Sequence, residues 1–404
     1  MNAYKGIGTA TDQGQSLSGV RVLDLGRYIA APYCAHLLAC HGADVIRIEP
    51  PQGASDREVM PVGIEGRGGL YLQVNSGKKS LSLDYSRPSG RAVLERLIAE
   101  SDILIVNLPR STLEKLRLDY DSLKAINPSI ILTTISAFDF HGESCNKVGF
   151  DGTGQALSGA MFLTGSGDHP TRAAVSYVDY GTALGAAFAT MSAVLQRRIT
   201  GEGQHVTCSL MGTALTMMNP MLMEEASGSR SRRPIGNRSP IAGPSDLFAT
   251  RDGWIMIQII GDPMFSRWAR MMDRTDLLGD PRFATDSDRG ENGEFLSAIT
   301  AEWCAQRTLA ECMDELERSR LPCCQCLTPD EALRYPGLDD YAEPIQVDGA
   351  TVTLPLITRA MRTANWDGRN PDVAPALGAD TDTILAGLGI RGDALQMLRK
   401  EGVI

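Results

Sequence analysis

Histidine is scarce in this sequence: five residues, at positions 36, 41, 141, 169 and 205. None stands at the His-Glu-x-x-His spacing that would hold zinc from one face of a helix. No Gly-x-x-x-x-Gly-Lys-[Ser/Thr] occurs, which argues against a P-loop. The Gly-rich stretch Gly149–Gly159 does not match Gly-x-Gly-x-x-Gly after a first strand, so it is weak as a dinucleotide fingerprint. Long basic runs are missing and the net charge is −10, so nucleic acid and anionic membrane surfaces are poor partners. No apolar run reads as the ~20 residues of a transmembrane helix. Met1–Gln15 is polar and Gly-rich, without the apolar core of a signal peptide. It reads as a loose arm of a cytoplasmic protein.

The nine cysteines do not form a framework. They are scattered, odd in number, and lie in a large chain, which points to reduced thiols. Cys323 and Cys326 form a Cys-x-x-Cys that could be half a zinc site or a redox pair, but no second pair or Cys/His cluster completes it. These thiols therefore read as apolar packing, and no metal is expected.

What the chain does have is length and ordinary composition. Its 404 residues exceed one compact core, so two domains are expected. Hydrophobic residues at 43% and charged ones at 22% describe a soluble globular protein.

Short apolar runs alternate with helical patterns along the first half. Strands are expected at Arg21–Leu25, Asp44–Glu49, Lys78–Asp84, Asp102–Asn107, Ile130–Ile135 and Gln204–Leu210. Helices are expected at Tyr33–Cys40 and Pro88–Ala99, and in two pieces over 111–126. Such βαβ units build a parallel sheet with right-handed crossovers. Ligands of these sheets bind at the carboxyl ends of the strands. Those ends are Gly26–Ala31, Pro50–Arg57, Asn107–Lys115 and Ser136–Gly142.

One acidic residue stands out. Asp179, in Ala173–Gly181, precedes a helix expected over Thr182–Arg198. Leu184, Phe188, Met191 and Leu195 recur there at helical spacing among small residues, so the helix reads as buried. A carboxylate at that point is either an N-cap or a reagent. A Met-rich helix follows, with Met217, Met218, Met221 and Met223 read as core filler. Residues 226–245 are the plainest linker. Beyond it, Trp254–Ile260 is expected as a buried strand, with a helix opening at Gly261-Asp262-Pro263. Further helices are expected over 294–305 and 308–319, a hairpin over 345–354 with Asp348-Gly349 at its turn, and two short helices at the end.

Six stretches in register resemble the family III CoA-transferases, the group of formyl-CoA transferase and carnitine CoA-transferase, with α-methylacyl-CoA racemase as a sister. They are Leu17–Leu25 with Ala31-Pro32; Leu38 with Gly42–Glu49; Asn75 with Gly77–Leu81; Asp102–Asn107; Tyr177-x-Asp179; and Thr200-Gly201-x-Gly203-Gln204. The resemblance implies an α/β fold: a Rossmann-like parallel sheet domain formed by both chain ends, a smaller inserted α+β domain, and an interlocked dimer, homodimeric or with a paralogous subunit. Boundaries follow as 16–225 for the large domain, 226–328 for linker and small domain, and 329–404 for the returning segment.

The resemblance also implies the chemistry. Asp179 matches the family's nucleophile, which takes an acyl-CoA donor through aspartyl anhydride and aspartyl-CoA thioester stages to a small carboxylic acid acceptor. CoA, as substrate thioester, would lie along Tyr28 and Ala30, with Leu83, Asn107, Leu108 and Leu116 bordering the nucleotide and Arg110 and Lys115 at its phosphates. Gly261 is the nearest match to an oxyanion-binding glycine segment, and Asp151 would assist. Pro50 and Ile29 depart from the formyl type, which points away from formate and oxalate. The linker arginines Arg230, Arg232, Arg233 and Arg238 could meet a second carboxylate of the acceptor or be solvated. The racemase branch needs a proton-carrying His in Gly-His-Asp, where this chain has Gly149-Phe150-Asp151. A non-catalytic CoA-binding protein would lack the nucleophile, and a dehydrogenase would need the missing glycine fingerprint.

Overall fold

A computed structural model describes residues 15–349, 351, 353–358, 361–362 and 372–404. In chain order, β1 (Arg21–Asp24), α1 (Ala30–Cys40), β2 (Asp44–Glu49), α2 (Gly69–Asn75), β3 (Lys79–Ser82), α3 (Pro88–Ala99) and β4 (Ile103–Val106) open the fold. Then come α4 (Arg110–Leu116), α5 (Tyr120–Ile126), β5 (Ile131–Ser136), α6 (Asp151–Leu157), α7 (Ala160–Thr164), α8 (Tyr177–Thr200), β6 (His205–Ser209) and α9 (Leu210–Ala226). The six strands form one sheet in the order β3-β2-β1-β4-β5-β6, with every pairing parallel. The order reverses between β1 and β4, and a doubly wound sheet opens its ligand crevice at that switch point.

Both faces of the sheet are covered, so its strands are near-continuous apolar runs. In β4 all four side chains are sealed, Ile103 and Ile105 toward one core and Leu104 and Val106 toward the other. The first core takes α1 and α8; the second takes α3 and the C-terminal helices α15 (Thr381–Gly387) and α16 (Asp393–Lys400), through Leu385 and Leu398. Packing density divides the described residues into two units. The first holds those up to Gly159, Ala173–Met223 and Asp339–Ile404; the second holds Ala160–Arg172 and Glu224–Leu338.

In the second unit, β7 (Ser245–Ala249), β8 (Trp254–Gln258) and β9 (Cys323–Gln325) form an antiparallel sheet. It packs with α10 (Asp262–Met271), α12 (Gly293–Ala305) and α13 (Leu309–Arg318) around Phe248, Ile255, Trp268 and Leu296; α11 (Asp286–Glu291) precedes α12 and α14 (Pro329–Ala332) follows β9. The stretch expected as a wholly buried strand alternates instead: Ile255, Ile257 and Ile259 point inward, Trp254 and Ile260 outward. An antiparallel sheet with one covered face requires this. Cys323 packs partly into that core, whereas Cys324 and Cys326 are exposed, contrary to the packing expected of them.

Three other expectations are corrected. The hairpin strands, β10 (Ala342–Ile345) and β11 (Leu354–Ile357), flank most of the stretch assigned to them, and Asp348-Gly349 sits in a longer connection. Ala350 and Val352 of that stretch lie outside the described residues. Helix α8 begins at Tyr177, before Asp179, and its inner face is not the large apolar series. Ala183, Ala186, Ala187 and Ala193 are buried against the sheet and α1, while Leu184, Phe188 and Leu195 are exposed and Met191 only partly packed. Small side chains let two helices approach closely, so the alanine face wins the core. Helix α9 likewise buries Leu210 and Ala214 but exposes Met217 and Met223. At 24 residues, α8 is also the one helix among the described residues long and apolar enough to cross a membrane; its buried alanine and threonine face makes it a core helix here.

Burial also sets a pH response. His36 on α1 is enclosed, with Nδ1 3.0 Å from the Ser76 carbonyl and the ring stacked on Tyr33. Desolvation pushes its pKa down from 6.5 to about 4. The unfolded chain binds this proton below about pH 6.5 and the folded chain only near 4, so stability falls with pH across that window. At about 1.4 kcal/mol per unit, lowering the pH to about 5 costs roughly 2 kcal/mol from His36. Denaturant melts at the two pH values, run on wild type and His36→Asn, should show the variant losing about that much less. Equal losses would mean His36 charges freely in the folded state.

Candidate active site

At the switch point lies a cleft of about 290 Å³. Three strand ends wall it: Arg27–Ala30 after β1, Asn107–Pro109 after β4, and Ile135–Ala137 at the end of β5. Cys145, Lys147–Phe150, Asp179 and Leu210 complete the wall. Three of the four expected strand-end segments therefore meet, and the fourth, Pro50–Arg57, is not in the wall.

Asp179 is the third residue of α8, in its first turn, and half-buried. It is not the helix cap; Ser176 occupies that position. The amides of this turn are held by Asp151, which is 2% exposed. Asp151 Oδ1 accepts from the N–H of Val178 at 2.8 Å and of Asp179 at 3.3 Å, and Oδ2 accepts from Gln155 Nε2 at 2.6 Å. Gln155 Oε1 accepts from the Ala173 N–H at 3.0 Å. Asp151 thus caps α8 from a neighbouring helix and fixes the backbone under Asp179. It is not among the residues that line the cleft.

Tyr28, Ala30, Asn107 and Leu108 line the cleft with Asp179. The others named from the sequence do not. Leu83 is fully buried and Leu116 partly buried in the core under the sheet, because each sits on the inner face of its segment. Arg110 pairs with Glu114 at 2.8 Å on the outer face of α4, and Lys115 is exposed on the same helix. Gly261, in the second unit, gives its N–H to both oxygens of Asp286 at 2.9 Å, so that amide already has an acceptor. Of the linker arginines, Arg230 pairs with Glu291 at 2.6 Å and Arg232 with Glu224, while Arg233 is exposed.

The cations in the wall are Arg27 and Lys147, which sequence reasoning did not single out. Arg27 had a signal, since it stands in a predicted strand end beside Tyr28. Lys147 had none, lying in a loop without periodicity. Phe150 is the other addition, its ring edge-on to Tyr28 at 5.7 Å. At Gly26 the chain passes so close to α1 that a Cβ would come within 2.5 Å of the Ala31 Cβ.

The cleft therefore offers one carboxylate, two cations and apolar walls from Ile29, Ala30 and Leu210. Among the described residues no histidine and no second acid lines it. That set suits nucleophilic attack by a carboxylate beside an anionic ligand, and does not suit a two-base proton transfer.

Comparison with known proteins follows the same line. The sequence model of CoA-transferase family III matches residues 17–381. A succinyl-CoA–D-citramalate CoA-transferase of Chloroflexus aurantiacus is 32% identical over 96% of this chain and 98% of its own length. A succinate–glutarate CoA-transferase of Agrobacterium fabrum is 31% identical over 73% of this chain and 77% of its own. The crystal structure of a CAIB/BAIF family protein from Brucella suis superposes with a TM-score of 0.80 at 30% identity, covering 93% of this chain and all of that one.

Proposed function

The chain belongs to the family III CoA-transferases, and from that premise we propose that Asp179 carries CoA from a succinyl-type thioester to a small dicarboxylic acid. One observation carries the reading: Asp179 is the only acidic side chain lining the cleft among the described residues. The substrate class is supported by the names of the relatives, which pair succinyl-CoA or succinate with citramalate and glutarate.

The Asp179 carboxylate attacks the thioester carbonyl and expels the CoA thiolate, leaving a mixed anhydride. The thiolate attacks the aspartyl carbonyl, giving an aspartyl-CoA thioester and the free donor acid. The acceptor carboxylate then attacks that thioester, forming the acceptor's anhydride with Asp179 and releasing the thiolate. Attack of the thiolate on the acceptor carbonyl gives the new thioester and restores Asp179. One hard exchange becomes several easier steps, none needing a proton. The apolar wall of Ile29, Ala30 and Leu210 would keep water from the anhydrides. Tyr28, Ala30, Asn107 and Leu108 would border CoA, with Arg27 and Lys147 at its phosphates.

Intact-protein mass spectrometry after incubation with a panel of acyl-CoAs, then hydroxylamine, tests this. A CoA adduct or hydroxamate on the Asp179 peptide, absent from Asp179→Ala, is the expected result. An unlabelled peptide with α-proton exchange in deuterated water would return the chain to the racemase branch.

The same reading includes a dimer of this chain in the cytoplasm. The exposed Leu184, Phe188, Leu195 and Ile199 of α8, with Met217 and Met223 of α9, support a second copy as their cover. Sedimentation should give twice the chain mass of 43.5 kDa; a monomer at micromolar concentration would refute it.

A further inference from the structure

The loop that brings Arg27 and Tyr28 to the cleft has no regular structure, yet each backbone polar group from the Gly26 N–H to the Tyr28 N–H ends on a side chain. The Gly26 N–H donates to Asp24 Oδ1 at 2.8 Å, and the Gly26 carbonyl accepts from Arg47 Nη1 at 3.3 Å. Asn107 takes both groups of Arg27: its Oδ1 accepts the N–H at 3.0 Å and its Nδ2 donates to the carbonyl at 2.7 Å. The Tyr28 N–H donates to Asp56 Oδ2 at 2.8 Å.

Tyr28 sits at φ +63°, a left-handed conformation that side chains other than Asn and Asp seldom adopt. Strain of this kind persists only where the surroundings over-determine it, and it concentrates at ligand sites. Here the determinant is Asp56. Both of its oxygens receive Arg47 Nη2 at 3.0 Å while one holds the Tyr28 amide. Arg47 closes the ring through the Gly26 carbonyl. Arg47 and Asp56 are 0% and 2% exposed and lie behind the wall, outside the cleft.

We propose that Asp56, braced by Arg47, is a positioning residue that keeps Tyr28 left-handed, so that its ring and the following Ile29 and Ala30 form the wall for the acyl-CoA arm. This rests on the reading of the cleft as an acyl-CoA site. Asp56 touches no substrate; it acts through Tyr28. The segment Pro50–Arg57, which the strand-end rule assigned to the ligand, serves it from behind.

Calorimetric binding of free CoA to the full chain, with the thermal midpoint and steady-state constants recorded alongside, tests the proposal. Asp56→Ala should weaken CoA binding about tenfold, the scale of a lost hydrogen bond to a charged group, and raise the donor KM more than it lowers kcat. Asp56→Asn keeps a carbonyl oxygen for the Tyr28 N–H and should recover part of the loss; it also serves if the alanine variant does not fold. In a Tyr28→Gly background the ring is already gone, so replacing Asp56 should change binding by less than about twofold further. Fully additive losses would mean general destabilisation and overturn the proposal. Should the wild type bind no CoA, the acyl-CoA reading falls by itself. The crystal structure of Asp56→Ala, which has no acceptor for the Tyr28 N–H, then decides: Tyr28 relaxed to negative φ upholds the positioning role, and Tyr28 unmoved overturns it.

Discussion

An Asp179→Ala protein will transfer CoA about 10⁴-fold more slowly than wild type while melting within about 3 °C of it. The two halves of that expectation have separate causes. On the proposed covalent route the rate falls because, among the described residues, no other carboxylate lines the cleft, so only the uncatalysed exchange of bound partners would remain. The fold survives because the Asp179 side chain does not close the helix. The first amides of α8 are held by Asp151 and by the carbonyls of Val175 and Ser176. A half-buried acid in a first helical turn is worth about 0.3–1 kcal/mol. Asp179→Asn keeps the volume and should be as inactive, which separates nucleophilicity from shape. Succinyl-CoA with a panel of dicarboxylates, assayed beside thermal unfolding, gives both numbers. A variant that retained transfer, or that carried label on Cys145, the cysteine in the wall, would move the nucleophile away from Asp179.

The sheet was legible because parallel strands are short apolar runs set between helical patterns. Each of the six expected strands overlaps an observed one, and their order puts the switch point where β1 and β4 end. Helix α8 shows what patterning cannot separate. A stripe of large apolar residues marks the buried side of a helix whether the cover is the same chain or another body. Its alanine face, which wins the core, carried no moment to read. The cleft was legible in outline from strand ends and in detail only where the family resemblance named the right segment. Leu83 and Leu116 pack into the core under the sheet, because a residue one place along a strand end or helix turns inward. Asp24, Arg47, Glu49, Asp56 and Lys78 were invisible for another reason. Charged residues read as solvated, and nothing local shows that long-range partners will neutralise them in the interior.

That buried cluster predicts the second large effect. Arg47→Met should destabilise the protein by about 3–5 kcal/mol, the usual cost of removing one partner from a buried ionic group. Arg47 meets Asp56 at 3.0 Å, Glu49 at 3.4 Å and Asp24 at 3.9 Å, all between 0% and 2% exposed at their side chains. Burial alone would push the guanidinium pKa down, but those carboxylates outweigh it and hold it above its ordinary value. Without Arg47, three buried carboxylates share what remains. Glu49 keeps Arg57 at 2.6 Å, and Asp24 keeps Lys78 at 2.7 Å. Lys78 Nζ is already committed to Asp24, the Pro32 carbonyl and Asn75 Oδ1, so it is a poor substitute. The Asp56 carboxylate loses its guanidinium partner and keeps the Tyr28 amide. Lysine at position 47 should recover little, because one ammonium cannot make the fork to Asp56 and the Gly26 carbonyl together. The exposed Arg399–Asp382 pair is the control: at 2.6 Å its geometry is as short, yet Arg399→Met should cost under about 1 kcal/mol. Denaturant melts of the two variants should therefore differ severalfold. If Arg47→Met cost no more than Arg399→Met, water would have to reach the cluster, and the rigidity inferred for the Gly26–Tyr28 loop would lose its foundation.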